Sequence, residues 1–252
     1  MSFPSDIEIR GRLRDASNAT FLCVNPATNK EYVYKPTAGE RPLWDFPEGT
    51  LTGREIAAAE IDRILGWSLV PRTEWISNGP LGSGMLQEWV SEIDQDRPVN
   101  IFDPHMVPDG WHAVLQAQDH LGNPIVLAHG DQEHLRRIAI FDSVINNADR
   151  KAGHILAVSQ EQFFGIDHGV SFHQENKLRT VLWGWAGQHI SPQFIEVLEA
   201  LEQHLGAWHQ PVDQWLNQEE SQALRLRIRD LISTGLYPSP SPHWPAIPWP
   251  VF

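Results

Sequence analysis

The chain has 252 residues, of which 41% are hydrophobic and 20% are charged, and its formal net charge is −13. This length allows one two-lobed domain or two small ones with a sizeable core, and the charge argues against a general basic surface for nucleic acid or anionic lipid. The single cysteine, Cys23, excludes an intramolecular disulfide framework and any CxxC zinc site.

The N-terminal segment MSFPSDIEIRGR lacks the apolar core of a signal peptide. No stretch of the sequence approaches the roughly 18 to 20 apolar residues that are needed to span a bilayer. We therefore expect a cytoplasmic protein that does not insert into membranes and does not bind nucleic acid.

The first third of the chain predicts strands around one helix. Alternating apolar residues separated by turn signals favour three antiparallel strands, and a Pro- and Gly-rich loop follows. Thr52 and Glu55 fit a capping box, and Ala57, Ile61 and Leu65 then recur at the spacing of one buried helical stripe. The predicted elements are strands at 7–13, 20–24 and 31–35, a loop at 36–49, a helix after 52, and strands at 69–76 and 85–90.

The rest of the chain is mixed at first and then mainly helical. Residues 91–132 are polar, with one short helix expected at 111–118, and a helical pattern begins at Glu133. The remaining predicted elements are strands at 154–158 and 163–166 and helices at 194–205 and 222–232. The tail PSPSPHWPAIPWPVF cannot form a helix or a central strand because proline removes backbone donors. It is either a strap docked through Trp244 and Trp249 or a mobile end.

Two aspartates, Asp149 and Asp167, bracket the predicted hairpin. Phosphoryl transfer needs a cation for the nucleotide phosphates, polar ligands for Mg²⁺, and a carboxylate that orients the attacking hydroxyl. Lys35 closes a predicted strand, where a kinase places its phosphate-binding lysine, and either Glu55 or Glu60 could pair with it. The alternative is that both aspartates are ordinary turn residues and that Glu55 only caps its helix.

These segments together resemble a known family. LRRIAIFDSVINNADRKAGHIL and GIDHGVSFH are similar to the catalytic and metal-binding segments of type II phosphatidylinositol 4-kinases, and VYKP, GREIAAAE, LVPRT and LQEWV match the lysine strand, helix, next strand and hinge in order. Over roughly residues 7–205 the chain resembles the bacterial phosphatidylinositol 3-/4-kinase-like group and, more distantly, HipA-type kinases. The resemblance implies a single α+β, bilobal, protein-kinase-like domain, with an N-lobe at about 1–90, a mainly helical C-lobe at about 91–236 and a tail at 237–252.

The resemblance also implies roles for individual residues and a need for ATP with Mg²⁺ or Mn²⁺. The predicted catalytic residues are Asp149, as the catalytic-loop aspartate, and Arg150 beside it, and Asp167 is the metal-binding aspartate. Lys35 is the phosphate lysine, with Glu55 as its partner. The remaining assignments are the turn over the phosphates, Ser17, Asn18 and Ala19, and the hinge for adenine, Glu88, Trp89 and Val90.

One position departs from the family pattern. His154 stands five residues after Asp149, where the family usually has a metal-binding asparagine. Imidazole is a poorer Mg²⁺ ligand than oxygen and suits softer ions better. The expected consequence is an altered metal preference, a single-metal mechanism or loss of catalysis, unless His154 is simply a buried histidine at a strand end. The covering turn is also poor in glycine.

The phosphate acceptor is not specified by these motifs. The acidic charge and the lack of a basic or amphipathic membrane-facing surface favour a protein Ser/Thr or a small soluble molecule over a lipid. Two other functions stay open at this point. One is a nucleotide-binding pseudokinase that recruits a partner through its tail, and the other is a kinase-fold enzyme that transfers AMP.

Overall fold

The computed structural model describes residues 3–4, 6–13, 18–41, 43–46, 50–93, 95, 97–206 and 211–252. Within these residues the chain has ten strands and four α-helices in an α+β arrangement. The strands are β1 Glu8–Arg12, β2 Phe21–Val24, β3 Glu31–Pro36, β4 Thr73–Gly79, β5 Gly82–Glu88, β6 Val99–Phe102, β7 His112–Gln118, β8 Pro124–His129, β9 Ile155–Ala157 and β10 Phe163–Gly165. The helices are α1 Leu51–Leu65, α2 Glu133–Ile145, α3 Pro192–Leu205 and α4 Gln218–Thr234. The predicted α+β, bilobal fold is confirmed, while the exact lobe boundaries stay a prediction.

The first lobe is built on an antiparallel sheet in the order β1-β2-β3-β5-β4. Tyr32 and Tyr34 on β3 are buried and pack with Cys23 and Leu86 in a small core of their own. Because successive side chains of a strand point to opposite faces, Lys35 lies on the other face from Tyr34. Burial raises the pKa of the Cys23 thiol to about 11, as is usual for a small inert core residue.

Helix α1 does not begin with the predicted capping box. The N-cap is Thr50, whose side chain makes no capping hydrogen bond, and the Glu40 carboxylate instead accepts from the amides of Leu51 at 3.2 Å and Thr52 at 2.7 Å. A carboxylate from a neighbouring loop satisfies free helix amides and the positive end of the helix dipole equally well. Glu55 is therefore available for another role.

Helix α1 also ties the two lobes together. Its predicted buried stripe is confirmed, and it belongs to the main hydrophobic core that continues through α2, α3 and α4. The Arg54 guanidinium forms a buried ion pair with Glu220 on α4 and donates to the carbonyl of Ser171 at 2.6 Å. These contacts fix α1 against the second lobe.

Residues 99–129 contain a second sheet, in the order β6-β8-β7. The helix predicted at 111–118 is wrong, because these residues form β7 and pair with β8 from His112 to Gln118. A short, partly apolar run does not distinguish a strand from a helix by periodicity, so the pairing partner decides. The mixed composition of this region gave no sign of a sheet.

The second lobe otherwise follows the predicted order. Helix α2 begins at Glu133 as expected, and β9 and β10 form the short hairpin that was predicted between the two aspartates. The amide of Ile166 donates to the carbonyl of His154 at 3.0 Å. The hairpin thereby brings the ends of its two flanking segments side by side.

The C-terminal tail is docked along the second lobe, as in the strap interpretation. The Ala246 carbonyl accepts from the amide of Thr180 at 3.1 Å and from Trp183 Nε1 at 2.8 Å, and the Val251 carbonyl accepts from Ala152 at 2.7 Å. Main-chain bonds thus hold the tail in place. The predicted docking through Trp249 is wrong, since this side chain is 83% exposed.

Among the helices in the described part of the chain, none has the length and apolar character needed to cross a bilayer.

Candidate functional site

A cleft of about 340 Å³ lies between the first-lobe sheet with α1 and the segments around the hairpin. It collects most of the side chains that the sequence singled out. Its polar lining comprises Asn18, Thr20, Lys35, Glu40, Thr52, Glu55, Asp149, Lys151, His154, Asp167 and Arg179, and Trp249 lies at the same cleft.

Lys35 pairs with two carboxylates, Glu55 from its own lobe and Asp167 from the second lobe. Its Nζ donates to Glu55 Oε1 at 2.6 Å and forms an ion pair with Asp167 Oδ1. Burial alone would lower the pKa of Lys35, but Asp167 and then Glu55 outweigh burial and raise it. The structure places Glu55 as the partner of Lys35, since Glu60 pairs with Arg63 at 2.6 Å on the exposed side of the helix.

Asp167 adopts a left-handed backbone conformation, which is uncommon for residues other than glycine but is more frequent for Asp than for most of them. Its φ is 58°, in the left-handed region, where a residue with a side chain is strained, and such strain is found preferentially at functional sites. Burial raises the pKa of Asp167, but Lys35 and then His154 outweigh burial and hold it well below its usual range. The Asp167 side chain is still 45% exposed, so its ionised carboxylate can reach a ligand in the cleft.

His154 presents one ring nitrogen to Asp167. The contact between Nδ1 and the Asp149 carbonyl oxygen is 2.9 Å, and a carbonyl only accepts, so Nδ1 carries the proton. Burial lowers the pKa of His154 and favours the neutral ring, whose Nε2 lone pair lies 3.6 Å from Asp167 Oδ2.

The His154 and Asp167 pair fits a divalent cation. Two ligands that are each about 2.1 Å from one ion are between roughly 3 and 4 Å apart, and Nε2 and Oδ2 are 3.6 Å apart. Within the described residues no group of three His, Cys, Asp or Glu side chains could hold a metal ion. A cation here would therefore take its other ligands from phosphate oxygens and water, as Mg²⁺ commonly does.

Asp149 also lines the cleft and lies between two cations. Its Oδ2 is 3.5 Å from Lys151 Nζ, and its Oδ1 is 3.9 Å from Arg179 Nη2. The Asp149 amide donates to Asn147 Oδ1 at 2.9 Å, which fixes the turn on which the carboxylate stands. A half-buried carboxylate in this position can orient a hydroxyl group.

Arg150 was predicted among the catalytic residues, and the structure corrects that prediction. Its side chain is completely buried and pairs with Asp142 at 2.9 Å. It donates to the carbonyl of Ile166 at 2.8 Å, to that of His154 at 3.1 Å and to His168 Nε2 at 2.7 Å. Arg150 therefore does not reach the cleft and is a positioning residue that holds the two flanks of the hairpin together.

The predicted phosphate turn lies at the cleft, and the structure accounts for its lack of glycine. Asn18 and Ala19 line the cleft, whereas Ser17 lies outside the described residues. The Ala19 amide donates to the Gly39 carbonyl at 3.3 Å, and a Cβ added at Gly39 would be 2.4 Å from Ala19 Cβ. The glycine that permits close approach thus belongs to the supporting segment instead of the turn.

The predicted adenine hinge lies at the end of β5 but does not line this cleft. The Glu88 amide donates to the backbone carbonyl of Arg72 at 2.9 Å, and the Trp89 amide donates to the backbone carbonyl of Glu31 at 3.1 Å. These two N–H groups therefore already have backbone acceptors. The prediction of an adenine hinge depends on Val90 and on the carbonyl groups of the segment.

No family model matches the chain. It is 46% identical over 262 residues to Protein Rv2133c of Mycobacterium tuberculosis, and the match covers 98% of this chain and 92% of that protein. The chain belongs to the Rv2133c family. A crystal structure of the Helicobacter pylori proinflammatory kinase CtkA is similar over 92% of this chain and 93% of the other, with a TM-score of 0.46 and 11% identity, a likeness too distant to bear on activity.

Sequence reasoning assigned no individual role to several residues at the cleft of this Rv2133c-family protein, among them Glu40, Lys151, Arg179 and Trp249. Lys151 follows Asp149 by two residues, a spacing that could have indicated it. The other three are brought to the cleft by loops and by the tail. Glu40 and Trp249 lie in proline- and glycine-containing segments with no regular pattern, so no periodic signal pointed to them.

Proposed function

We propose that the chain is an ATP- and divalent-metal-dependent phosphotransferase of the phosphoinositide-kinase-like superfamily. Its acceptor is a protein Ser/Thr or a small soluble molecule. The observation that carries the proposal is the convergence of Lys35, Glu55, Asp167 and Asp149, from both lobes, in one cleft. An ordinary set of turn aspartates has no reason to meet a partly buried lysine that is paired with a helix glutamate.

Each residue has a role in this proposal that matches its position. Lys35, held by Glu55, aligns the α- and β-phosphates of ATP. Asp167 and His154 hold Mg²⁺ or Mn²⁺, which offsets the negative charge of the phosphates when it is bound. Asp149 orients the acceptor hydroxyl.

The contact between Lys35 and Asp167 has a consequence for binding. Lys35 and Asp167 neutralise each other's charge in the cleft. If ATP draws Lys35 away from Asp167, a cation bound with the ATP can replace Lys35 as the positive partner of Asp167. Nucleotide and metal should therefore bind together, and ATP without metal should bind weakly.

The first test is a calorimetric titration of ATP into the full chain, without metal and with Mg²⁺ or Mn²⁺. We expect binding that requires metal and that weakens at least tenfold in Asp167→Asn. Asp109→Asn is the matched control, because this aspartate is exposed and lies outside the cleft. No binding with any metal would refute the proposed mechanism, and saturable labelling of phosphatidylinositol vesicles would refute the choice of acceptor.

A second candidate is a nucleotide-binding pseudokinase that acts as an interaction module. It is favoured by the hinge amides of Glu88 and Trp89, which already have backbone acceptors, and by His154 at the metal position. Under this alternative ATP binds but is not turned over, and Asp149→Asn leaves every measured property unchanged. A loss of ADP formation in Asp149→Asn would exclude it.

A further inference from the structure

Trp249 is presented at the cleft with its indole largely in water. It is 83% exposed, and it is the only Trp, Tyr or Phe among the described residues that line the cleft. It shares this lining with Asp149 and Lys151. An exposed indole leaves a large apolar area in water, which a ligand can cover with a gain of free energy.

The main chain on both sides of Trp249 is fixed to the second lobe. On one side the Ala246 carbonyl accepts from Thr180 and from Trp183 Nε1, and on the other the Val251 carbonyl accepts from Ala152, three residues after Asp149. The tail backbone is therefore anchored on both sides of Trp249 and lies against the segment that follows Asp149. The anchored backbone keeps residue 249 at the cleft, where its exposed indole can contact a ligand.

Two cations stand next to the same carboxylate. Lys151 and Arg179 lie 3.5 Å and 3.9 Å from the two oxygens of Asp149. Arg179 is held by a bond from Nε to the Ala148 carbonyl at 2.5 Å and lies over the Trp244 ring at 5.7 Å. This side of the cleft thus combines an exposed aromatic face with fixed positive charge.

We infer that the C-terminal tail forms part of the acceptor site and that Trp249 is a specificity-determining residue in it. The acceptor is a small compound that bears hydroxyl groups on a ring and an anionic group such as a phosphate ester. The ring packs on Trp249, and Lys151 and Arg179 take the anionic group. This inference rests on the proposed function and selects a small molecule over a protein as the acceptor.

The transfer balances with these components. A ring hydroxyl oxygen forms a bond to the γ-phosphorus of ATP, and the bond from that phosphorus to the β,γ-bridging oxygen breaks. ADP leaves with the electron pair, and the hydroxyl proton passes to the Asp149 carboxylate. The products are a phosphorylated ring compound and ADP.

The test measures ADP formation by the full chain at saturating ATP and Mn²⁺ with three probes. D-Glucose 6-phosphate has a ring and a phosphate ester, glycerol 3-phosphate has the ester and hydroxyls without a ring, and D-glucose has the ring alone. We expect glucose 6-phosphate to exceed glycerol 3-phosphate in kcat/KM by at least tenfold, and D-glucose to be a poor acceptor.

Trp249→Ala should reduce this ring preference to within about twofold by raising KM for glucose 6-phosphate, while the KM for ATP changes little. Trp249→Phe should restore most of the preference, since it keeps an aromatic face. Leu121→Ala removes another exposed apolar side chain, 74% exposed and outside the cleft, and serves as the control.

The outcomes distinguish a failure of the acceptor inference from a failure of the proposed function. If ATP is turned over but glucose 6-phosphate does not exceed glycerol 3-phosphate, or if Trp249→Ala keeps the preference, the acceptor inference is overturned while the proposed function stands. Stimulation by a serine-containing peptide alone overturns it as well. A chain that binds no ATP with any metal overturns the proposed function, and the acceptor inference with it.

Discussion

His154 donates from Nδ1 to the Asp149 carbonyl at 2.9 Å, and this bond determines that Nε2 is the nitrogen that faces Asp167. At position 154, where the kinases that this sequence resembles usually have an asparagine with an amide oxygen, this chain offers an imidazole nitrogen. Oxygen ligands suit Mg²⁺, and nitrogen ligands favour transition metals such as Mn²⁺. We therefore expect ATP to bind more tightly with Mn²⁺ than with Mg²⁺.

Replacing His154 by Asn should reverse much of this preference. We expect the ratio of the ATP Kd values with Mg²⁺ and Mn²⁺ to fall about tenfold in His154→Asn, because an amide oxygen replaces the ring nitrogen. Calorimetric titrations with each metal give the ratio. His105→Asn is the control, since His105 is exposed and outside the cleft. An unchanged ratio in His154→Asn would show that His154 is not a ligand.

The two glutamates of helix α1 provide a matched pair of variants. Glu55 accepts from Lys35 at 2.6 Å and from the His168 amide at 2.9 Å, whereas Glu60 pairs with Arg63 on the exposed face. Glu55→Gln should lower kcat/KM for ATP by about 10- to 100-fold, the effect of losing a hydrogen bond to a charged group. Glu60→Gln should change kcat/KM for ATP by less than twofold relative to the wild-type chain.

Thermal unfolding of both variants separates this effect from a loss of fold. Glu55 is buried, so we expect Glu55→Gln to unfold at a lower temperature while it remains folded under the assay conditions. If the two variants lose the same amount of activity, the contact with Lys35 has no functional role.

Much of the site was predictable because its residues lie on short, regular elements. Lys35 ends a strand that alternates clearly, and Asp149 and Asp167 flank a hairpin whose apolar runs are easily recognised. Local patterns give such elements reliably. The choice between Glu55 and Glu60 stayed open, since both lie on the same helix and the contact across the cleft decides between them.

The remaining features depend on contacts between segments that are distant in the sequence. Glu40 caps a helix that begins eleven residues later, and Trp249 reaches the cleft only because the tail pairs with Ala152 and Thr180. Arg150 belongs to a buried ion pair and does not line the cleft. The residues next to Arg150 in the sequence do not indicate whether its side chain is buried or faces the cleft. Residues 112–118 can be identified as strand β7 only from their pairing with β8, because their sequence pattern alone does not distinguish a strand from a helix.

Gly39 supports the phosphate turn by allowing close contact. A Cβ at this position would lie 2.4 Å from Ala19 Cβ, so Gly39→Ala must push the turn away. We expect the ATP Kd to rise about five- to tenfold, with a loss of stability of about 1 to 3 kcal/mol from overpacking. Calorimetry and urea unfolding measure the two effects.

Gly11→Ala is the matched control for this change. Gly11 also lies in the first lobe, and an added Cβ there would meet nothing within 4 Å. We expect ATP binding to be unchanged in Gly11→Ala. Equal Kd values for the two variants would mean that Asn18 and Ala19 do not contact the nucleotide.

Arg150 and Asp142 form a completely buried ion pair. Arg150→Met leaves the Asp142 carboxylate buried without its cation, which we expect to cost about 3 to 5 kcal/mol of the free energy of unfolding. Urea denaturation measures the loss, with Arg10→Met as an exposed control. The double variant with Asp142→Leu should recover part of the loss, since it removes both charges. Full stability in Arg150→Met would contradict a positioning role.

His129 should make the protein less stable in mild acid. Burial is the main cause that lowers the pKa of His129 to about 4 from its ordinary value of 6.5, with His112, Asp131 and Arg136 as its charged or titratable neighbours. The Nδ1 of His129 donates to the Gly130 carbonyl at 2.6 Å, and its Nε2 accepts from the Gly184 amide at 3.0 Å. This pair of hydrogen bonds requires a neutral ring.

Between pH 6.5 and pH 4 the unfolded chain therefore binds more protons than the folded chain, so the free energy of unfolding falls as the pH falls. His129 alone contributes a slope of up to about 1.4 kcal/mol per pH unit in this window. Urea denaturation at several pH values measures the slope, and His129→Gln should make it shallower by that amount. A wild-type stability that is constant from pH 6.5 to pH 4 would show that His129 is not held in its neutral form by the fold.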